Sequence, residues 1–190
     1  MGIGSISVKD FNQKFKTNIQ ENPSECILSN YNLADEGLKY FCQLKLNSLE
    51  LLYLNNNNIT NINYFKDFRG PCLKRLDLSH NKIKEIDVFA NFKSPLENLD
   101  LSFNIINNID IFKNDNTLPQ LNKLFIGNND INFKDKEISD IMSKLKKRMS
   151  NKYKSSIESS ASSNHSSTSQ LLKLPTMNYK FENYFINSKK

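Results

Sequence analysis

Residues 49–59 read LELLYLNNNNI, residues 73–83 read LKRLDLSHNKI and residues 96–106 read LENLDLSFNII. Superposed, all three give L-x-x-L-x-L-x-x-N-x-I. A fourth copy at 121–131, LNKLFIGNNDI, keeps Leu121, Leu124, Asn129 and Ile131 and changes only the third leucine, to Ile126. A fifth, degenerate copy at 23–33 retains Cys26, Leu28 and Leu33 and carries Tyr31 at the Asn position. Successive copies start 26, 24, 23 and 25 residues apart, a period at which one supersecondary unit stacks on the next to share a core. The three strongest copies add a second apolar pair at a constant offset, Ile62/Phe65, Ile86/Phe89 and Ile109/Phe112.

Each L-x-L centre, such as Leu76-Asp77-Leu78, makes a short strand whose alternate side chains point inward, and the copies stack as a parallel ladder at about 4.8 Å. Asn57, Asn81, Asn104 and Asn129 recur where the chain leaves the strand. There an amide side chain satisfies backbone groups that the turn would otherwise bury unpaired. Their expected role is therefore structural. The second apolar set closes the convex side.

This pattern resembles the leucine-rich repeat family, and the short period with N-x-I-x-x-I-x-x-F resembles its compact intracellular class. The resemblance covers residues 23–149. It implies an α/β fold: a curved parallel β-ladder with a helical or irregular convex side, whose concave face is the usual partner surface. Members of similar size include phosphatase regulators, axonemal or tubulin-associated subunits and a splicing-particle component. A protein-binding adaptor is thus the primary expectation, and a structural subunit of a cytoskeletal, axonemal or ribonucleoprotein assembly is the alternative.

A solenoid needs capped ends. Residues 1–22 supply the first cap, with Ser7-x-x-Asp10 as a capping box and Phe11, Phe15 and Ile19 on one helical face. After the repeats at 23–134, Ile138, Ile141, Met142, Leu145 and Met149 predict an amphipathic helix over 135–149. Either cap could instead be a partner-binding helix, marked by a fully exposed apolar stripe.

The strand pattern places Ile27, Tyr53, Asp77, Asp100 and Phe125 in the central concave column. Glu25, Leu51, Arg75, Asn98 and Lys123 flank it on one side. Beyond the serine-rich column on the other lie Asn30, Asn56, His80, Phe103 and Asn128. Aromatic anchors around orienting charges are what a protein–protein site needs. The expected partner-binding residues are Tyr53, Arg75, Asp77, His80, Asp100, Phe103, Lys123 and Phe125. The central carboxylates favour a partner carrying Lys or Arg, although Asp also serves simply to keep such strands soluble.

Catalysis is not expected. Asp77 and Asp100 fall about 5 Å apart on neighbouring strands, but an open curved face does not exclude water. The chain has no G-x-x-x-x-G-K-[ST] loop, H-E-x-x-H helix or G-x-S-x-G turn. No cofactor or metal is expected either: Cys26, Cys42 and Cys72 lack metal-ligand spacing, and only His80 and His165 could assist. Three cysteines beside apolar runs suit reduced thiols.

The 190 residues allow one ordinary domain, or a smaller one with tails. No apolar run nears the length of a membrane span. The opening MGIGSISVKDF lacks the basic start and apolar stretch of a secretory signal, and Ile6 stands where myristoylation wants Ser or Thr. The expected location is cytoplasmic, with nuclear or cytoskeletal association admitted. The 29 asparagines are spread over every segment, so their number alone carries no chemistry.

A formal charge of +6 is concentrated in Lys144, Lys146, Lys147, Arg148, Lys152 and Lys154. Such a patch admits nucleic acid as a secondary partner, but it equally suits a solvated helix C-terminus. Serine then fills nine of the fifteen positions 155–169, so 150–170 is expected to be a disordered linker open to phosphorylation. Residues 171–190, with Leu171, Leu172, Leu174, Tyr179, Phe181, Tyr184 and Phe185, form an apolar and aromatic motif that either folds back or docks elsewhere.

Overall fold

A computed structural model describes residues 6–162, with side chains through residue 152. The order is α1 (Val8–Phe15), β1 (Glu25–Ile27), α2 (Ala34–Phe41), β2 (Leu51–Tyr53), β3 (Arg75–Asp77), β4 (Asn98–Asp100), β5 (Lys123–Phe125) and α3 (Lys136–Ser162). Short 3-10 helices at Asn63–Asp67, Asp87–Asn91 and Asp110–Lys113 follow β2, β3 and β4. The five strands form one parallel sheet in chain order. This is the expected solenoid, with helical caps and a largely 3-10 convex side.

Register follows the leucines. Cys26, Leu52, Leu76, Leu99 and Leu124 stand opposite one another, and each is buried. The ladder extends one residue past the strands: Leu28 N donates to Tyr53 O at 2.9 Å, and Leu54 N to Asp77 O at 2.8 Å. The Ile and Phe of the second apolar set, from Ile62 to Phe112, are all buried. Outside that set, Phe68 stacks between Phe41 and Phe92, with centroids 6.4 and 6.3 Å away.

The recurrent asparagines link each repeat to the one before it. Asn81 Oδ1 accepts from Asn57 N at 3.0 Å and Ile59 N at 2.9 Å, while Nδ2 donates to Leu54 O, Leu78 O and Ser79 O. Asn57 does the same toward Tyr31, Leu33 and Leu28. Asn104 reaches back to Ile83 and Leu78, and Asn129 to Ile106 and Leu101. One side chain thus satisfies turn donors and acceptors of two repeats at once.

At the front, Ser7 Oγ accepts from Asp10 N at 3.1 Å and Asp10 Oδ2 accepts from Ser7 N at 3.3 Å, closing the capping box. The expected helical face stops short, because Lys16 at φ 53° ends α1 in a left-handed cap. Ile19 is nevertheless buried. Asn12 holds it there, donating to Ile19 O at 2.8 Å and accepting from Ile19 N at 2.9 Å. Phe11 packs edge-on to Phe41 at 5.9 Å, joining the cap to the core.

At the back, Asp135 Oδ1 accepts from Glu137 N and Ile138 N and starts α3. Ile141, Leu145 and Met149 are buried, and Ile138 and Met142 pack beside them. The helix then passes the expected boundary at Met149 and continues to Ser162, through a stretch without Pro or Gly to break it. The remainder of the expected linker and the aromatic motif at 171–190 lie outside the described residues.

Candidate interaction face

Strand pairing sets Ile27, Tyr53, Asp77, Asp100 and Phe125 in one row and Glu25, Leu51, Arg75, Asn98 and Lys123 in the next. These are the columns that the repeat alignment implies. Tyr53, Arg75, Asp77, Asp100, Lys123 and Phe125 therefore occupy adjacent places on four strands. His80 and Phe103 lie across the serine column, on the turns after β3 and β4.

Arg75, Asn98, Asp100, Lys123 and Phe125 line a shallow pocket of about 120 Å³, floored by Leu76 and Leu99. Phe125 forms an apolar wall and is 37% exposed. Tyr53 lies outside this pocket; its ring lies beneath the Arg75 guanidinium at 5.2 Å. On the other flank the rings of His80 and Phe103 stack at 4.1 Å with planes 10° apart. The eight expected residues thus fall into a mixed-charge pocket, a cation–aromatic pair beside it, Asp77 next to Asp100 on the neighbouring strand, and a separate aromatic stack across the serine column.

The aspartates are held by their own repeats. Asp77 Oδ1 accepts from Ser79 N at 2.9 Å and Ser79 Oγ at 2.7 Å. Asp100 makes the same pair of contacts with Ser102, at 2.9 and 2.6 Å. Burial lifts the Asp100 carboxyl above its ordinary range, and the neighbouring Asp77 charge adds to that; the Ser102 bonds and Arg75 offset only part of the rise. Two further contributors escape the sequence reading of the site. Asn98 lines the pocket, and Ile27, in the central column, is 63% exposed. The column assignment already contained both, but neither residue type marks a site by itself.

Much of the basic run serves the fold. Arg148 donates to Asp115 O at 2.7 Å and Thr117 O at 3.1 Å, Lys152 donates to Pro119 O at 2.8 Å, and Lys144 pairs with Asp115 at 3.1 Å. Spaced at i, i+4 and i+8, these cations bind α3 to the loop before β5. Burial pushes the Cys26 thiol up to about 12, with the Glu25 charge adding to it, and holds Cys42 well above its ordinary value. Thiols in that condition are poor nucleophiles. Among the described residues no group of three or more His, Cys, Asp or Glu could hold a metal ion, and no helix is long and apolar enough to cross a membrane.

Repeat period, asparagine ladder and parallel register together give the architecture of a leucine-rich repeat solenoid. The family model described as Leucine Rich repeats (2 copies) matches residues 47–91 and 72–114. Among solved structures, internalin C2 of Listeria monocytogenes is 28% identical over 50% of this chain and 38% of its own, with a TM-score of 0.39. Internalin F of the same organism is 22% identical over 57% of this chain and 35% of its own, with a TM-score of 0.37. The chain therefore spans well under half the length of either. No curated protein matches it.

Proposed function

We propose that the chain is an adaptor that binds another protein across its concave face, through Tyr53, Arg75, Asp77, His80, Asp100, Phe103, Lys123 and Phe125. The observation carrying this reading is the pocket of about 120 Å³, where a cationic rim, a half-buried carboxylate and an exposed aromatic wall converge. Exposed aromatic area anchors a partner, and fixed charges of both signs set its orientation. The reading places the protein in the cytoplasm; its unpaired cysteines, two of them buried, suit a reducing compartment.

The test is affinity purification from the native cells, comparing the intact chain with a Tyr53→Ala, Asp77→Lys, Phe125→Ala variant shown to fold. Selective loss of a stoichiometric protein from the variant supports the reading. An unchanged set of bound proteins overturns it and moves binding off this face.

A further inference from the structure

Two adjacent repeats carry the same kind of block, Asp77-Leu78-Ser79-His80 and Asp100-Leu101-Ser102-Phe103. Pairing of β3 with β4 sets Asp77 beside Asp100, and the His80 and Phe103 rings form the stack described above. The repeats on either side hold Tyr53 with Asn56 and Phe125 with Asn128 at these positions. The combination of acid and aromatic is thus confined to the centre of the face. Among the described residues the serines fix one oxygen of each carboxylate, and no donor reaches either Oδ2.

The backbone of these turns does not call for an aromatic pair. His80 and Phe103 sit at φ 54° and 55°, and in the matching places Asn30, Asn56 and Asn128 sit at 66°, 57° and 54°. Asparagine and histidine tolerate the left-handed region, whereas a phenylalanine there is an outlier. Phe103 is 45% exposed, so burial does not compensate for that conformation. A local rule broken at an exposed position marks a functional or strained site.

One side chain suits an exposed ring carried on the same two repeats as a pair of carboxylates. A guanidinium stacks its face on a ring while its N–H groups point outward, in plane, at carboxylate oxygens. A lysine ammonium is a point charge with no face to stack. A cation placed here also relieves the repulsion between Asp77 and Asp100. Arg75 and Lys123, on the opposite flank, repel a second cation and so orient the incoming segment across the strands.

We propose that the block Asp77, Asp100, His80 and Phe103 is a receptor for an arginine side chain of the bound protein. This rests on the concave-face reading and specifies its partner. The test is a nuclear magnetic resonance titration of the full chain with acetyl-arginine-amide, acetyl-lysine-amide and acetyl-citrulline-amide. Arginine is expected to give saturable shifts at all four residues, lysine to bind roughly threefold to fivefold more weakly for want of stacking, and neutral citrulline to give none.

Phe103→Asn should reduce arginine to the level of lysine, and His80→Asn provides a second variant if that one fails to fold. Equal responses to arginine and lysine, a citrulline response matching that of arginine, or no saturable shift at these residues would each overturn the proposal. If the triple variant described above loses its partner yet arginine shows no preference, the concave-face reading stands and the arginine receptor falls.

Discussion

Asn81 makes five hydrogen bonds within the stack, two as acceptor and three as donor. Asn81→Ala strands the N–H groups of Asn57 and Ile59 inside the fold, and each unmet buried group costs about 1–3 kcal/mol. A loss of roughly 3–5 kcal/mol is expected after partial relaxation, read from the shift of the urea midpoint. Asp100 behaves in the opposite sense. Its carboxyl titrates above 3.8 in the folded chain, so between that value and the raised one the folded state holds more protons than the unfolded state, and stability falls as pH rises. Above this window the ionised form carries the full penalty. Asp100→Asn removes the penalty and retains an oxygen able to accept from Ser102. The melting temperature of the variant relative to the parent should therefore increase between pH 3 and pH 7; the same difference at both pH values would rule the mechanism out.

At the scale of elements, the strands and their register were legible in the sequence because a strand of three residues leaves little room to slip. Once Leu76 and Leu99 are aligned, Asp77 must face Asp100, and the concave columns follow. The end of α1 was not legible: the apolar spacing of Phe11, Phe15 and Ile19 suits a helix, but Lys16 turns left-handed and an asparagine side chain carries Ile19 inward. The role of the basic run was hidden for a related reason. Charge identifies a cation without naming its acceptor, and the acceptors are backbone carbonyls in a loop some thirty residues away. The site was half legible, since columns can be counted, whereas the His80–Phe103 contact depends on turn geometry that no propensity reports. If Arg148 docks α3, then Arg148→Ala should cost about 1–3 kcal/mol through two lost carbonyl bonds. Lys147→Ala, at an exposed position, should stay within about 0.5 kcal/mol. Equal effects in thermal melts would return the run to a generic solvated charge.

Over the whole molecule, stability is distributed along a line rather than around a centre. Each strand pairs only with its sequence neighbours, and each of the four recurrent asparagines reaches back a single repeat, so a disturbance at one end has to propagate through every interface before it reaches the other. The end caps make this testable. Leu145 is 2% exposed on the face of α3 that covers the last repeat, and Leu145→Asp forces that face to solvate an unpaired charge. The cap should detach while the rest of the stack remains folded. Amide exchange followed by mass spectrometry would then show protection in β5 falling by roughly a hundredfold, as expected for about 3 kcal/mol lost locally. The effect should be smaller in β4 and negligible in β1. Phe11→Ala should give the mirror image, greatest in β1 and fading toward β5. A uniform loss across all five strands in either variant would mean that the repeats unfold as one unit, and nearest-neighbour coupling would then not describe this chain.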